Sequence, residues 1–501
     1  MNLMKKRQKN TNLKVHKITM KKLKKQVKGI TLIALVVTVI VLLILAGVAI
    51  SLTVGNNGLF TRAENAANTW QEASEREAIE LAVAGMQIGS MQETGMTKQE
   101  LENSLKEQFG DEASVEDNED GSFLVTIGEN QYYLGEDGEI IDSSNMLKIS
   151  TANELKAFRD DVNNGNTYEG WYVYLTNDIT LDINEEWDPI GLYPMDTTGP
   201  TDNEHNKPFI GIFDGKNHSI EGININTTNK GQGLFGIING GSIYNVRIGS
   251  ENNYTVGMIS AALVGYLYNG NIYNCINESE INSTGSYTGG IAGFVDENSV
   301  VEQCSNYGNI ISNGITVGGI VGQFMNSTIS KCINTGTIKA GTNVGGITGY
   351  SSSSIIQECV NTGSISTNTS FFSGGISSSI RNTTINSCYN TGNINSATLW
   401  SGGITALVYE VSKIENCYNT GNVTGTQNIS GICKAQAESS LEVINCYYLE
   451  NTVNGANETN VIDGVTVKTS EALKALAPTL GTAFKEAPEG TNDGYPILQW
   501  Q

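Results

Sequence analysis

The chain has 501 residues, 39% of them hydrophobic and 16% charged, enough for several folded units, and its 56 glycines against 7 prolines point to turns rather than stiff linkers. Charge is unevenly placed: the first 29 residues carry 11 Lys+Arg and no acid, so the rest holds 19 basic against 52 acidic residues, net −33. A body this acidic repels nucleic acid phosphates, and the three histidines, His16, His205 and His218, lack ligand spacing, so no nucleic acid partner, metal or cofactor is expected.

The span Ile30 to Val54 is apolar apart from Thr31, Thr38, Ser51 and Thr53. At helical rise it covers ~38 Å, more than the ~30 Å hydrocarbon core of a bilayer. The basic flank should stay cytoplasmic, so the acidic body is expected outside the cell membrane, at the cell surface, with the lipid bilayer as a partner. An ordinary secretory signal is shorter and ends in a small-residue cleavage site, which leaves a plain signal anchor or a processed leader.

The run Lys28-Gly29-Ile30-Thr31-Leu32-Ile33 resembles the type IV prepilin leader. That resemblance implies cutting after Gly29 by a prepilin peptidase, Ile30 as the mature N-terminus, and the pilus assembly machinery as a further partner. The family's glutamate at the fifth mature position is Ala34 here. Such a carboxylate would neutralise a neighbour's N-terminal ammonium in lipid, so its loss counts against ordinary filament packing. Met20 offers a second start, giving the shorter leader MKKLKKQVKG.

Helix-forming, amphipathic sequence continues to about residue 88, extending the membrane span into a pilin-like stem. TKQELENSLKEQFG reads as a second helix, and SFLVTIGENQYYLGEDGEII as a hairpin. Glu116, Asn118, Asp120 and Gly121 mimic half a calcium loop, but Ile127 stands where the bidentate glutamate belongs, so a solvated turn is the reading.

From about residue 230 the chain repeats: GGIAG at 289, GGIVG at 318, GGITG at 345, GGISS at 374 and GGITA at 402, spaced 27 to 29 residues apart. A period in this range means a solenoid. Each copy reads as strand, strand, tight turn and short strand, as in INSCYNTGNI. Cys275, Cys304, Cys332, Cys359, Cys388, Cys417 and Cys446 share one register, Val246 fills the same slot a period earlier, and Cys433 lies off it. Valine replaces a core thiol but not a metal ligand or disulfide partner, so the column is expected to be free, buried thiols.

The asparagines two residues on (Asn277, Asn306, Asn334, Asn361, Asn390 and Asn419) suit left-handed or turn geometry and side-chain bonding along the stack. Isoleucine after the glycine pair, cysteine, and the last Ile or Val make three inward columns. Together these describe a mainly β chain: a parallel β-helix of about eight coils, right-handed by expectation, preceded by the long membrane and pilin-like helix and a small α+β unit. The expected order is leader 1–29, stem 30–90, α+β unit 91–145, N-terminal cap and first coils 146–222, repeats 223–450 and C-terminal cap 451–501. The first cap should begin with a Thr151–Glu154 capping box, and TSEALKALA with NDGYPILQW should close the other end.

The repeats resemble the GLUG repeats of bacterial surface proteins over roughly 205–450. That family also occurs beside the peptidase domain of IgA-cleaving enzymes, and the resemblance implies display or binding. Catalytic candidates are thin. Asp214, Lys216 and His218 in FDGKNHSI, with Asp188 upstream, are the one cluster to weigh, and a turn explains them. Tyr287, Phe372 and Trp400 each stand two residues before a glycine pair and could stack as a sugar-binding column, interrupted by Thr316 and Asn343. The expectation is a non-enzymatic cell-surface protein binding a glycan or protein ligand, or a minor or tip pilin-like subunit. The rival is a membrane-tethered β-helix lyase or hydrolase acting on glycans.

Overall fold

A computed structural model describes residues 70–83, 97–117, 122–135 and 140–501, apart from positions 197, 203, 368–370, 398, 437–438 and 455–461. Gly29, Ile30, Ala34 and the Ile30 to Val54 span lie outside the described residues, as do Asn118, Asp120 and Gly121. Of the stem, residues 70–83 are helical. No helix among the described residues is long and apolar enough to cross a membrane.

Helix Lys98–Phe109 begins where expected, with the Thr97 hydroxyl accepting the Glu100 amide at 3.4 Å. The expected hairpin is the centre of a four-stranded antiparallel meander: Ala113–Asp117, Phe123–Ile127, Asn130–Leu134 and Ile140–Asp142, each paired with the next. Its first strand escapes a sequence reading because only Ala113 and Val115 point inward, between acids.

The remainder is a parallel β-solenoid. The coil around Cys304 has five short strands, Val300–Glu302, Ser305–Asn306, Ile310–Ser312, Thr316–Gly318 and Val321–Met325, which corrects the simpler repeat unit read from sequence. Stacked in register, they build five faces of eleven, eleven, nine, six and seven strands, numbered here one to five in that order along a coil. Eleven strands on a face means about ten turns, not the expected eight. The uncounted strands on face two are Ile179–Thr180, Ser219–Glu221 and Val465–Lys468. None carries the cysteine mark: by register, Ile220 lies under Ile248, where later coils have asparagine.

All seven column cysteines are buried in the main core, with Ile291, Ile320, Ile347, Ile376 and Ile404 and the Ile272-to-Ile414 column three residues before the cysteines. The last Ile or Val of the repeat does not join them in most coils. Ile310, Ile338, Ile365, Ile394 and Val423 pack with Val317, Val344 and Ile429 in a smaller second cluster.

Corners turn at the residue before the cysteine slot. Asn245, Asn274, Gln303, Lys331, Glu358, Ser387, Asn416 and Asn445 have φ between 49° and 55°, whereas the asparagines after the cysteine are strand residues. The left-handed geometry expected of those asparagines is therefore three residues misplaced. What they form is a buried ladder: Asn277 donates to Asn306, Asn306 to Asn334, Asn334 to Asn361, Asn361 to Asn390 and Asn390 to Asn419, at 2.7–2.8 Å. The second glycine of each pair is explained by this ladder. A Cβ on Gly346 would stand 2.3 Å from Asn361 Cγ and 2.1 Å from the Gly375 carbonyl.

Helix Ala152–Asn163 covers the N-terminal end of the core with Leu155, Phe158 and Val162, and its Thr151–Glu154 capping box is formed. The C-terminal segment does something else. Helix Ser470–Lys474 and the antiparallel pair Phe484–Lys485 with Ile497–Leu498 run back along the flank of face two, over Val360, Tyr389, Tyr418 and Tyr447. Trp500 Nε1 donates to the Glu358 carbonyl, Tyr389 to Gln501, and Tyr418 to the Pro496 carbonyl. This is a lateral strap, not the expected closing cap, because face two offers a column of tyrosines to cover.

Candidate ligand-binding surface

The Asp214 cluster comes apart on inspection of its bonds. Asp214 is fully buried and saturated, accepting from Tyr172 Oη at 2.6 Å, the Lys216 amide at 2.8 Å and Asn245 Nδ2 at 3.1 Å, with Lys216 Nζ at 3.5 Å. His218 turns to Asp178, 3.3 Å away. Asp188 lines a different cavity, of about 440 Å³, with Trp187, Tyr193 and Lys230. A carboxylate with every lone pair engaged and no water access positions a turn; it has no free valence for a substrate. Among the described residues no group of three or more His, Cys, Asp or Glu could hold a metal ion.

The eight cysteines are free and buried. Burial pushes the Cys275, Cys332, Cys388 and Cys446 thiols up, and Cys433 up to about 12. Against burial, hydrogen bonds from neighbouring column thiols pull Cys304, Cys359 and Cys417 down, but all eight are sealed in the core with no path to a substrate and serve as packing groups.

Of the three aromatics picked from sequence, Phe372 and Trp400 are register neighbours on face four, with ring centroids 6.4 Å apart and Lys434 Nζ 5.1 Å over the Trp400 ring. Asn343 lies beside Phe372, and Thr316 beside Asn343. Tyr287 stands apart from that pair. At φ 65° it leans across the corner onto Phe294 of face five, 5.7 Å away.

Face five holds the richer surface, which sequence reasoning missed. One of its columns runs Ile237, Tyr266, Phe294, Gln323 and Tyr350 on successive coils, the first two buried with Tyr193 and the last three half-buried at the surface. A second column beside it begins Asn239, Tyr268, Asp296. Tyr266 and Phe294 stack at 4.7 Å and 3°, and Tyr193 meets Tyr266 edge-on at 5.2 Å. Burial, then Asp296, pushes the Tyr266 hydroxyl far above its ordinary range, so it stays a neutral donor. Higher on the face, Arg381 lies 6.0 Å over Tyr409 and pairs with Glu410. The signal was readable: position three after the core isoleucine is Phe294 after Ile291 and Tyr350 after Ile347, as in GGIAGF and GGITGY.

No family model matches this chain, and no curated protein matches it. Among solved structures, it is similar to a candidate immunoglobulin A1 protease from Bacteroides ovatus, at 20% identity and TM-score 0.41, over 72% of this chain and 94% of that one. It is also similar to an IgA1 protease structure, at 14% identity and TM-score 0.37, over 71% of this chain but only 29% of that one. Both are named as proteases, which stands against the expectation of a chain without enzymatic activity.

Proposed function

We propose that this chain is a cell-surface β-helix whose face five binds an extended glycan, carried outside the membrane on a prepilin-like stem. The supporting observation is the surface column Phe294, Gln323 and Tyr350, founded on buried Tyr266 and flanked by Tyr268 and Asp296. Coils repeat every ~4.8 Å, so the Phe294 and Tyr350 rings, two coils apart with Gln323 between them, stand ~10 Å apart along a straight axis, a track with an amide and a carboxylate within reach. Sugar rings present apolar C–H faces and a hydroxyl rim, which such a track matches. The acidic body disfavours polyanionic glycans, so the ligand is neutral or basic.

The test is affinity electrophoresis and titration calorimetry against linear neutral polysaccharides, with product analysis of every mixture. Immunoglobulin A1, the substrate in the names of both similar structures, belongs in the same assay. The double variant Phe294→Ala/Tyr350→Ala changes only half-exposed rings and should weaken binding at least tenfold with an unchanged circular dichroism spectrum. Wild-type affinity in that variant, or no binding by any glycan, would sink the reading. Released fragments would add catalysis to it. For the stem, intact mass of membrane-extracted protein should correspond to a start at Ile30; a start before Gly29 removes the prepilin part.

A further inference from the structure

A second site stands apart from face five, where the meander abuts the first coils. Tyr133 of the third meander strand stacks on Tyr172 of face one, ring centroids 4.3 Å apart and 20° from parallel, and Ile141 and Ile212 seal the base of the joint. Beside this joint the two surfaces diverge, leaving a cavity of about 660 Å³. Domain joints are where binding cavities concentrate, and this volume falls in the usual range for them, roughly 300–1,000 Å³.

The lining is specific in chemistry. Tyr133, Trp171 and Tyr244 supply rings, Ser242 a hydroxyl, Asn271 an amide and Glu169 the one charge among the described lining residues. Ser242 and Asn271 are register neighbours on face one, their side chains hydrogen-bonded at 3.2 Å, so hydroxyl and amide are held as one polar unit. The walls between are glycine. Gly170 and Gly240 take φ of 72° and 89°, and a Cβ at either would meet nothing closer than 3.8 Å, so their backbone faces open space.

We propose that this cavity is a binding site for the end of a neutral saccharide. Rings without a basic residue, in a chain of net charge −22, select against phosphate, sulfate or uronate groups. An apolar ligand would leave the Glu169 carboxylate and the Ser242–Asn271 pair facing it without new partners. A hydroxyl-rich ring satisfies both demands: a ring face on Trp171 or Tyr244, and hydroxyls donating to Glu169 and bonding to Asn271.

The experiment is saturation-transfer NMR and calorimetry on the whole chain with cellobiose and chitobiose, and with a glucuronate disaccharide as the charged control. Asn271 is exposed, so Asn271→Trp should fill the mouth without disturbing the coil, and Glu169→Gln should remove the charged acceptor. Expected is weak saturable binding of a neutral disaccharide, lowered at least tenfold by Asn271→Trp and several-fold by Glu169→Gln. The face-five double variant Phe294→Ala/Tyr350→Ala should leave it unchanged, which separates this site from the extended-glycan track. Absence of binding by either neutral disaccharide overturns the proposal. So do equal binding of the glucuronate, undiminished binding by Asn271→Trp with a native spectrum, or capture of peptides in place of sugars.

Discussion

Asn361 shows how one residue type holds this coil together. Its Nδ2 donates to Asn390 at 2.7 Å and to the Gly363 carbonyl at 3.0 Å, while its Oδ1 accepts from Asn334 at 2.8 Å. Asn361→Ala would strand buried groups on the coils either side as well as Gly363. Each orphaned buried group costs about 1–3 kcal/mol, so with three of them a loss of roughly 3–9 kcal/mol is expected. Urea unfolding would read it as a lower midpoint at constant slope; a change under about 0.5 kcal/mol would show the ladder to be incidental, in the range of ordinary surface substitutions. A second residue-scale prediction concerns His205. Its Nδ1 lies 2.9 Å from Asp202, which also accepts from the Thr198 and His205 amides. The hydrogen bond to Asp202 raises the His205 pKa, and the backbone hydrogen bond from Thr198, then the His205 bond, lowers that of Asp202. Raised histidine stability is fully present below the unfolded value near 6.5 and fades as pH climbs through the folded one. Lowered aspartate stability is present above the ordinary value near 3.9 and fades as pH falls through the folded one. The loop should thus be tightest between those limits, and an NMR titration of His205 should fall back toward ~6.5 in Asp202→Asn.

At the scale of elements, the C-terminal strap repeats the lesson that a surface column asks for cover. Tyr389 and Tyr418 stack at 4.9 Å and 4°, both under the strap, and Phe484 closes over them. The helix TSEALKALA and the closing NDGYPILQW were legible as elements from their cap and turn residues. Their placement was not, because nothing local says whether an apolar segment covers an end or a side. Removing residues 470–501 would expose about 200 Å² of ring, worth on the order of 5 kcal/mol at ~25 cal/mol per Å². The coil itself should survive, since its ladders do not pass through the strap. The expected result is dye binding by newly exposed aromatics, a melting point several degrees lower and a retained β spectrum. Loss of the β spectrum would instead make the strap part of the folding unit.

For the whole molecule, a strict period made the solenoid plain in sequence, because each coil must offer the same inward side chains to its neighbours. Legibility ended where the marks changed. The first coils carry neither cysteine nor asparagine, with Ile220 in the place of the later asparagines, and so were not counted. The aromatic track was overlooked for a related reason: its surface residues, Phe294, Gln323 and Tyr350, share a position but not a residue type. One property set by the whole solenoid is its charge: residues 146–501 hold 32 acidic against 15 basic residues, net −17. Along a stack with ~4.8 Å between coils, carboxylates on neighbouring turns repel over the ~10 Å screening length at 0.1 M salt, and over ~30 Å at 0.01 M. Opposing this are partly exposed pairs between neighbouring coils such as Arg247–Glu278 at 2.7 Å, Lys331–Glu302 at 2.8 Å and Arg381–Glu410 at 3.4 Å. Pairs of this kind contribute about 0–1 kcal/mol each and weaken with salt, whereas the surplus of acids gains from screening. The surplus outnumbers them, so raising sodium chloride from roughly 0.01 to roughly 0.1 M should raise the melting point by several degrees. A melting point that falls with salt would mean that the coil-to-coil pairs, rather than self-repulsion, dominate the electrostatics of the rod.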